Sequence, residues 1–292
     1  GLDILCRNLA SSGLLVKSGG RYRNGPMARR ALNAKSPDSR GAYLDLVRGH
    51  WDAWSQLTRS VKRGRPVDDD KPDNPKYRRA FTWAMHHRTR TTAPLLATEL
   101  NLKSARTLLD LGGGPGTYAL AFLAENPKLA ATLCDRPEAL QVAKQIAASS
   151  RHGRRLSYLA RDFMNQPVPG RYDVIWLSNV VHIYSPAENQ RLLKKLAGSL
   201  APHGRLFVQD MYTHDRNGLY PQDTNLFAVT MLLFTDRGNT YSTREVKAWL
   251  TKAGFGQVRR LKFRAGSEAV DADVLEASRL NAHRGTRTRR HR

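Results

Sequence analysis

Residues 107–118, TLLDLGGGPGTY, run from an apolar stretch through Asp110 and Leu111 into Gly112, Gly113, Gly114 and Gly116, packed around Pro115. Four glycines within five positions let backbone approach a ligand at distances that any Cβ would block. The residues that follow, YALAFLAEN, are apolar and read as the start of a helix. A strand, a tight turn and a helix N-terminus in this order form the ligand-binding corner of an open α/β sheet.

The glycine spacing narrows the ligand. A dinucleotide fingerprint places glycines at the first, third and sixth positions. Counted from Gly112, the sixth position here is Thr117, and the third glycine falls instead at the fifth position, Gly116. An acid, Asp110, stands two residues before the first glycine. This acidic-x-Gly-x-Gly-x-Gly arrangement resembles motif I of the class I S-adenosylmethionine (SAM) methyltransferases.

The elements after the corner appear in the order such a fold requires. KLAATLCDRPEAL offers a short strand ending in Asp135, nineteen residues past Gly116. A carboxylate at the end of a second strand can accept hydrogen bonds from both ribose hydroxyls. RRLSYLARDFMN reads as a third strand ending in Asp162 and Phe163, where the resemblance implies an acid near the adenine amino group and an apolar side chain against the ring. RYDVIWLSNVVH is a fourth strand, and AENQRLLKKLAGSLAPHGRLFVQD a helix, a turn and a fifth strand. Taken alone, Asp135 also reads as a helix N-cap ahead of Pro137 and Glu138, and Asp162 as a loop residue. The predicted fold is α/β, a Rossmann-like, mostly parallel sheet with helices on both faces.

Composition bounds the rest. The 292 residues can bury one large domain and a smaller one. No run of eighteen apolar residues is present, so no membrane-spanning helix is expected. Cys6 and Cys134 are too few for a disulfide framework, and the default expectation is a reducing cytoplasm. Lys and Arg exceed Asp and Glu by 48 to 25, a formal charge of +23 that favours any polyanion without specifying a site. The basic residues are spread along the chain, with one cluster in the terminal NAHRGTRTRRHR, which reads as a disordered, solvated tail over 281–292.

Before the glycine corner, Leu2, Leu5 and Leu9 recur at helical spacing, and LLVKSGGRYRN reads as two short strands about a Gly-Gly turn. A helix followed by such a hairpin is the second half of a winged-helix unit, so the chain is expected to start inside a domain. Arg7, Lys17, Arg21 and Arg23 would suit phosphate contacts, whereas the largely apolar helix presents few base-reading side chains. In the methyltransferases that this chain resembles the winged helix pairs two subunits, and the resemblance implies that role here. Two amphipathic segments follow, GAYLDLVRGHWDAWSQLTRSVKRG and YRRAFTWAMHHRTRTTAPLLATEL. Between them RPVDDDKPDNPK, with Asp68, Asp69 and Asp70 flanked by prolines, marks a connector. The expected division is 1–75 for the partial winged-helix, dimerisation and linker region and 76–280 for the SAM domain.

The blocks LLDLGGGPGTYALAF, CDRPEAL, RDFM, DVIWLSNVVHIYSPAENQRLLKKLAGSLAPHGRLFVQDM and GNTYSTREVKAWLTKAGF together resemble an O-methyltransferase family. It includes the plant caffeate and flavonoid enzymes, acetylserotonin methyltransferase, and bacterial polyketide and carotenoid methyltransferases. The likeness runs from Leu2 to about Leu280 and implies a homodimer acting on a small-molecule methyl acceptor. It implies that Asp110, Gly112, Gly114 and Gly116 hold the methionine end of SAM, Asp135 the ribose, Asp162 and Phe163 the adenine, and that Asn179 lies near the sulfonium. Phe81 and Met85, one helical turn apart, and Asn225 and Met231 would line the acceptor pocket. Core packing is the alternative reading for the Phe81 face and for the apolar run from Leu226 to Phe234.

Methyl transfer to a hydroxyl needs a base near the sulfonium. His182, just past the fourth strand, falls at the histidine of the family's His-Asp-Trp triplet, with Ile183 and Tyr184 in place of the Asp and Trp. In the family Asp210 matches the first acid that orients such a base, while the second would fall near Asn239 or Thr240 in RGNTYST, a stretch without a carboxylate. His182 therefore reads either as the base or as a pocket or structural histidine. The competing functions are RNA methylation, a SAM-binding member performing decarboxylation or hydroxylation, and a SAM-binding protein without chemistry.

Overall fold

The computed structural model describes residues 1–36, 38–67, 74–214, 217–264 and 273–279. Asp68, Asp69 and Asp70 and the basic tail 281–292 lie outside the described residues. Helix α1 (Leu2–Ser11) leads into an antiparallel hairpin, β1 (Leu15–Ser18) and β2 (Arg21–Asn24), with Ser18 opposite Arg21 across the Gly19-Gly20 turn. Helix α2 (Pro26–Ala31) follows. The first long amphipathic segment is not one helix. It breaks into α3 (Gly41–Arg48), α4 (Trp51–Ser55) and α5 (Leu57–Arg63), the first break falling at Gly49, where a residue without a side chain carries the largest entropic cost in a helix. The second segment divides into α6 (Pro75–Thr89) and α7 (Ala93–Glu99). Asn74 caps α6 by accepting from the Lys76 and Tyr77 amides, and Pro75 at the first helical position needs no such partner.

The remaining chain alternates strand and helix: β3 (Thr107–Leu111), α8 (Thr117–Glu125), β4 (Ala130–Asp135), α9 (Pro137–Ala148), β5 (Leu156–Ala160), β6 (Tyr172–Ser178), α10 (Pro186–Ser199) and β7 (Leu200–Asp210). A short pair, β8 (Tyr212–Thr213) and β9 (Tyr241–Ser242), brackets α11 (Gln222–Phe234). The described chain closes with α12 (Thr243–Lys252), β10 (Phe255–Arg260) and β11 (Asp273–Arg279). The SPAE and STRE sequences make capping boxes at α10 and α12, Ser185 with Glu188 and Ser242 with Glu245.

The seven-stranded sheet has the order β10-β11-β7-β6-β3-β4-β5. The five strands from β7 to β5 run parallel; at one edge β11 pairs antiparallel with β7 and β10 antiparallel with β11, so β11 alone runs against the others. The order of the parallel strands reverses between β3 and β6, so their carboxyl ends form the crevice where ligands bind in open α/β sheets. Side chains of β6 alternate between two cores, as a two-residue period requires. Val174 and Trp176 join Leu96, Phe122 and Leu123 on one face, and Ile175 and Leu177 join Leu192, Leu196 and Leu250 on the other. A strand buried on both faces reads as a continuous apolar run, which is why VIWL lacks polar alternation.

Candidate active site

The glycine corner follows β3 and passes into α8. Gly112, Gly114 and Gly116 take φ of 67°, 52° and 70°, the left-handed region that favours glycine. Gly113 is required for a different reason: a Cβ there would stand 2.3 Å from Cγ of Asp110. The corner is thus folded directly onto the carboxyl group of Asp110. That group is fully buried, and neither of its oxygens has a hydrogen-bond partner among the described residues. Burial, reinforced by the charge of Asp135, pushes Asp110 up to about 7. A buried carboxyl beside backbone that lacks side chains suits the cationic ammonium of an amino-acid ligand, so this cradle fits the methionine end of SAM.

Asp135 ends β4 and faces the same corner. Its Oδ2 accepts from the Gly114 amide at 2.8 Å and its Oδ1 from the Arg136 amide at 2.7 Å. The N-cap of α9 is Arg136, so the capping reading of Asp135 does not hold; its carboxylate turns toward the glycines. Asp162 and Phe163 lie beyond the end of β5, which stops at Ala160 and not at these residues as expected. The cause is local: the Asp162 carboxylate folds back to accept from the Met164 amide at 3.0 Å and from Asn165 Nδ2 at 2.7 Å, a turn that competes with strand pairing. The Asn165 bond also holds the Asp162 carboxyl below its usual range.

Phe163 is buried against Gly112, its ring 3.5 Å from where a Cβ on that glycine would stand. Lys195 of α10 fixes this turn by donating from Nζ to the carbonyls of Phe163, Met164 and Gln166 at 2.8, 2.9 and 3.2 Å. Beside it opens a pocket of about 440 Å³ whose lining includes Arg78, Arg136, Asp162 and Gln166.

Past β6 the chain makes a left-handed step at Asn179, φ 56°, which asparagine tolerates better than most residues. Its amide donates to the Gln209 carbonyl at 2.9 Å and its side chain to Ser178 Oγ at 2.9 Å. Ser178 donates to Gln209 Oε1 at 2.7 Å, and Gln209 Nε2 donates to the Tyr118 hydroxyl at 3.1 Å. This buried chain links β6, β7 and α8 under the corner. Sequence reading missed it because Ser178, Gln209 and Tyr118 belong to no motif and meet only in the sheet.

His182 sits in a one-turn 3₁₀ helix, Val181–Ile183, and is 7% exposed. Its Nδ1 lies 2.7 Å from Oδ1 of Asp210, and its amide donates to Asp210 Oδ2 at 3.2 Å. One carboxylate at the end of β7 therefore fixes both the backbone and the ring of His182, so the ring is oriented without a second acid near Asn239. That segment contributes backbone instead: the Asn239 amide donates to the His182 carbonyl at 2.9 Å. Gly238 is needed there, since its Cβ would come within 2.4 Å of the same carbonyl oxygen.

The residues expected around the acceptor are placed unevenly. Phe227 of α11 packs edge-on against the His182 ring, centroids 4.8 Å apart. Met231 is buried, whereas Asn225 turns its side-chain amide onto the Pro221 carbonyl at 3.3 Å. The apolar residues of α11, Leu226, Phe227, Val229, Met231 and Leu232 among them, are spread around the helix instead of forming one face. Their burial also varies along it: Leu233 is buried while Leu226, seven residues earlier on the same side, is 60% exposed. Phe81 is exposed and Met85 half-buried on α6. Their helix crosses the start of α8, where His86 Nδ1 meets Thr117 Oγ1 at 2.9 Å. Burial, with His87 and Arg90 nearby, pushes His86 down to about 4, so it is neutral at physiological pH. His86 reads in the sequence as one more surface or pocket histidine, because nothing nearby in the chain announces Thr117.

A family model describing an O-methyltransferase domain matches residues 55–256. The chain belongs to the O-methyltransferase family. It is similar to the 3-hydroxy-5-methyl-1-naphthoate 3-O-methyltransferase of Streptomyces sahachiroi, 29% identical over 93% of this chain and 81% of the relative. It is also similar to the mitomycin biosynthesis 6-O-methyltransferase of Streptomyces lavendulae, 30% identical over 79% of this chain and 67% of the relative. Among solved structures, that of the mitomycin 7-O-methyltransferase MmcR superposes with a TM-score of 0.80 at 28% identity, covering 96% of this chain and 83% of that one. This O-methyltransferase uses SAM as its methyl donor, in keeping with the glycine corner and the acids at 110 and 135.

Proposed function

We propose that this O-methyltransferase methylates a hydroxyl of a small, flat aromatic molecule, with His182 as the base that takes the hydroxyl proton. The observation that carries this reading is the His182–Asp210 pair beside Phe227 at the carboxyl edge of the sheet. With Nδ1 directed at Asp210, Nε2 of the neutral ring keeps its lone pair for the acceptor proton. Bound SAM would supply an electrophilic methyl group for in-line attack. The chain's own residues orient the donor, exclude water and remove the proton. The names of the relatives, which include a naphthoate and a mitomycin methyltransferase, support an aromatic or quinone-like acceptor over a polyanion. Incubating the protein with SAM and a panel of hydroxylated bicyclic aromatics tests this. Product mass greater by one methylene, with equimolar S-adenosylhomocysteine, is expected; loss of carbon dioxide or gain of oxygen would show a different reaction.

In this reading Asp110 and Gly112 to Gly116 hold the methionine end, Asp135 the ribose, Asp162 and Phe163 the adenine, and Asn179 lies near the sulfonium. Phe81, Met85, Asn225 and Met231 lie toward the acceptor. A testable consequence concerns Asp110. Its folded pKa of about 7 stands above the ordinary carboxylate value, so near neutrality it is partly protonated. An arriving ammonium favours the ionised form and expels the proton. SAM affinity is therefore expected to rise between about pH 6 and pH 8, with net proton release near pH 7. Titration calorimetry in buffers of different ionisation heat measures this, and a binding heat independent of buffer would contradict it.

The division into residues 1–75, serving subunit contact, and 76–280, serving catalysis, belongs to the same reading, as does a homodimer. Its support is α1, in which no residue is buried and Leu2, Ile4 and Leu5 are largely exposed. An apolar face of this kind marks an association surface. Sedimentation equilibrium is expected to give twice the chain mass, and a monomer at micromolar concentration would refute it. Among the described residues no helix is long and apolar enough to cross a membrane. A cytoplasmic setting accords with a chain of two cysteines, both free.

A further inference from the structure

Phe227 and Phe234 stand seven residues apart on α11, hence on one face of the helix and about 10 Å apart along its axis. Each meets a histidine from a different part of the chain. Phe227 lies edge-on to His182, while Phe234 packs at a 42° tilt against His50, centroids 4.3 Å apart. Met231, buried, lies between them on the same side. His50 is the N-cap residue of α4, and its Nε2 lies 3.3 Å from the hydroxyl of Tyr77 on α6. Tyr77 in turn stacks on Phe81, one turn along α6, with centroids 6.3 Å apart. An apolar wall on α11 is thus bounded by a polar pair at each end, His182 with Asp210 at one and His50 with Tyr77 at the other.

Nothing in the methyl-transfer chemistry uses the second pair. Resting on the reading of His182 as the base, we propose that His50 and Tyr77 form the far polar end of the acceptor pocket. The acceptor is then an elongated flat aromatic of two or three fused rings. It carries a hydrogen-bonding oxygen, a carbonyl or hydroxyl, at the end opposite the hydroxyl that is methylated.

Three features support this. The spacing of about 10 Å along α11 exceeds what a single phenol ring can bridge, so one-ring acceptors reach one polar end only. Aromatic rings at both ends, Phe227 and Phe234, offer edges and faces to a flat ligand. Among the described residues the Tyr77 hydroxyl meets one partner, His50, and a hydroxyl has one donor and two acceptor sites, which leaves capacity for a ligand oxygen. Burial also holds the Tyr77 phenol above its ordinary range, so it keeps its proton and remains a donor.

The test uses 2-naphthol, which has no far-end oxygen, and 6-acetyl-2-naphthol, which has one. Calorimetry on the protein saturated with S-adenosylhomocysteine is expected to show the acetyl compound binding about tenfold more tightly, the effect of one net hydrogen bond. Tyr77→Phe is expected to bring the two within about twofold. His50→Asn, which keeps a good N-cap on α4, carries the same expectation. Each variant is checked by its SAM affinity, which reports an intact donor site. Equal affinities in the unaltered protein, or a preference that survives both substitutions, would overturn the proposal. Methylation of both naphthols without preference would remove the far-end anchor and leave the proposed function standing. Methylation of neither, on protein that binds SAM, would overturn the acceptor class and the anchor together.

Discussion

Replacing His182 by alanine is expected to lower turnover by about 10²–10⁴-fold, the usual contribution of a positioned general base, while SAM affinity changes little. The effect follows from the orientation of the ring. The ring is buried, its Nδ1 is committed to Asp210 at 2.7 Å, and Phe227 closes one side at 4.8 Å. The imidazole is thus held through Nδ1, which leaves Nε2 as its uncommitted nitrogen, and the ring cannot rotate away without breaking a charge-assisted bond. Asp210→Asn keeps the volume and removes the charge. Its single amide oxygen can accept from the ring or from the His182 amide but not from both, and it does not stabilise the imidazolium that forms, so kcat is expected to fall with KM for the acceptor nearly constant. A protein lacking the His182 imidazole that still turned over at the original rate would leave proximity alone as the source of catalysis. Steady-state kinetics with a methylated naphthol as product would decide between these outcomes.

Asp135→Ala is expected to weaken SAM binding by roughly 2–5 kcal/mol, the loss that follows truncation of a buried hydrogen-bonded charge. That corresponds to about thirtyfold to several thousandfold in Kd. The size reflects two functions of one carboxylate. In the proposed reading it accepts from ribose hydroxyls, and it already accepts from the Gly114 amide at 2.8 Å, tying the glycine corner to the end of β4. Asp135→Asn keeps an acceptor oxygen for Gly114 but not the charge. It is expected to lose less affinity than alanine, and the difference measures what the loop tether contributes. Calorimetric SAM affinity unchanged in the alanine variant would show that the adenosyl group binds elsewhere.

The geometry of the glycine corner was readable in the chain because its determinants are local. Asp110, Gly112, Gly114 and Gly116 occupy seven consecutive positions, and their geometry follows from a strand, a turn that only glycine permits, and a helix start. Asp135 could be placed because a strand of known direction brings its last residue to the sheet's carboxyl edge. Even here the local reading had a limit. The end of β5 fell two residues early, since the Asp162 side chain bonds its own following backbone in preference to a neighbouring strand. The breaks within the first amphipathic segment were not legible either, because the amphipathic period survives the interruptions at Gly49 and Gln56.

The proposed acceptor half was legible only as a set of histidines and an apolar run. Its contacts join residues far apart in sequence: His182 and Asp210 by 28 positions, Tyr118 and Gln209 by 91, and His50 with Phe234 across most of the chain. No periodicity encodes such pairs, because they depend on how whole helices pack on the sheet. The missing second acid near Asn239 looked, in sequence, like a weakened base. Packing supplied another solution, one carboxylate gripping both the ring and the amide of His182, with the Asn239 segment held to its carbonyl. Short-range sterics at the glycine corner thus determined, from residue order, the fold and the methyl donor. Which imidazole is oriented, and which rings meet Phe227 and Phe234 on α11, depended on tertiary packing, because those contacts exist only once the helices and the sheet are assembled.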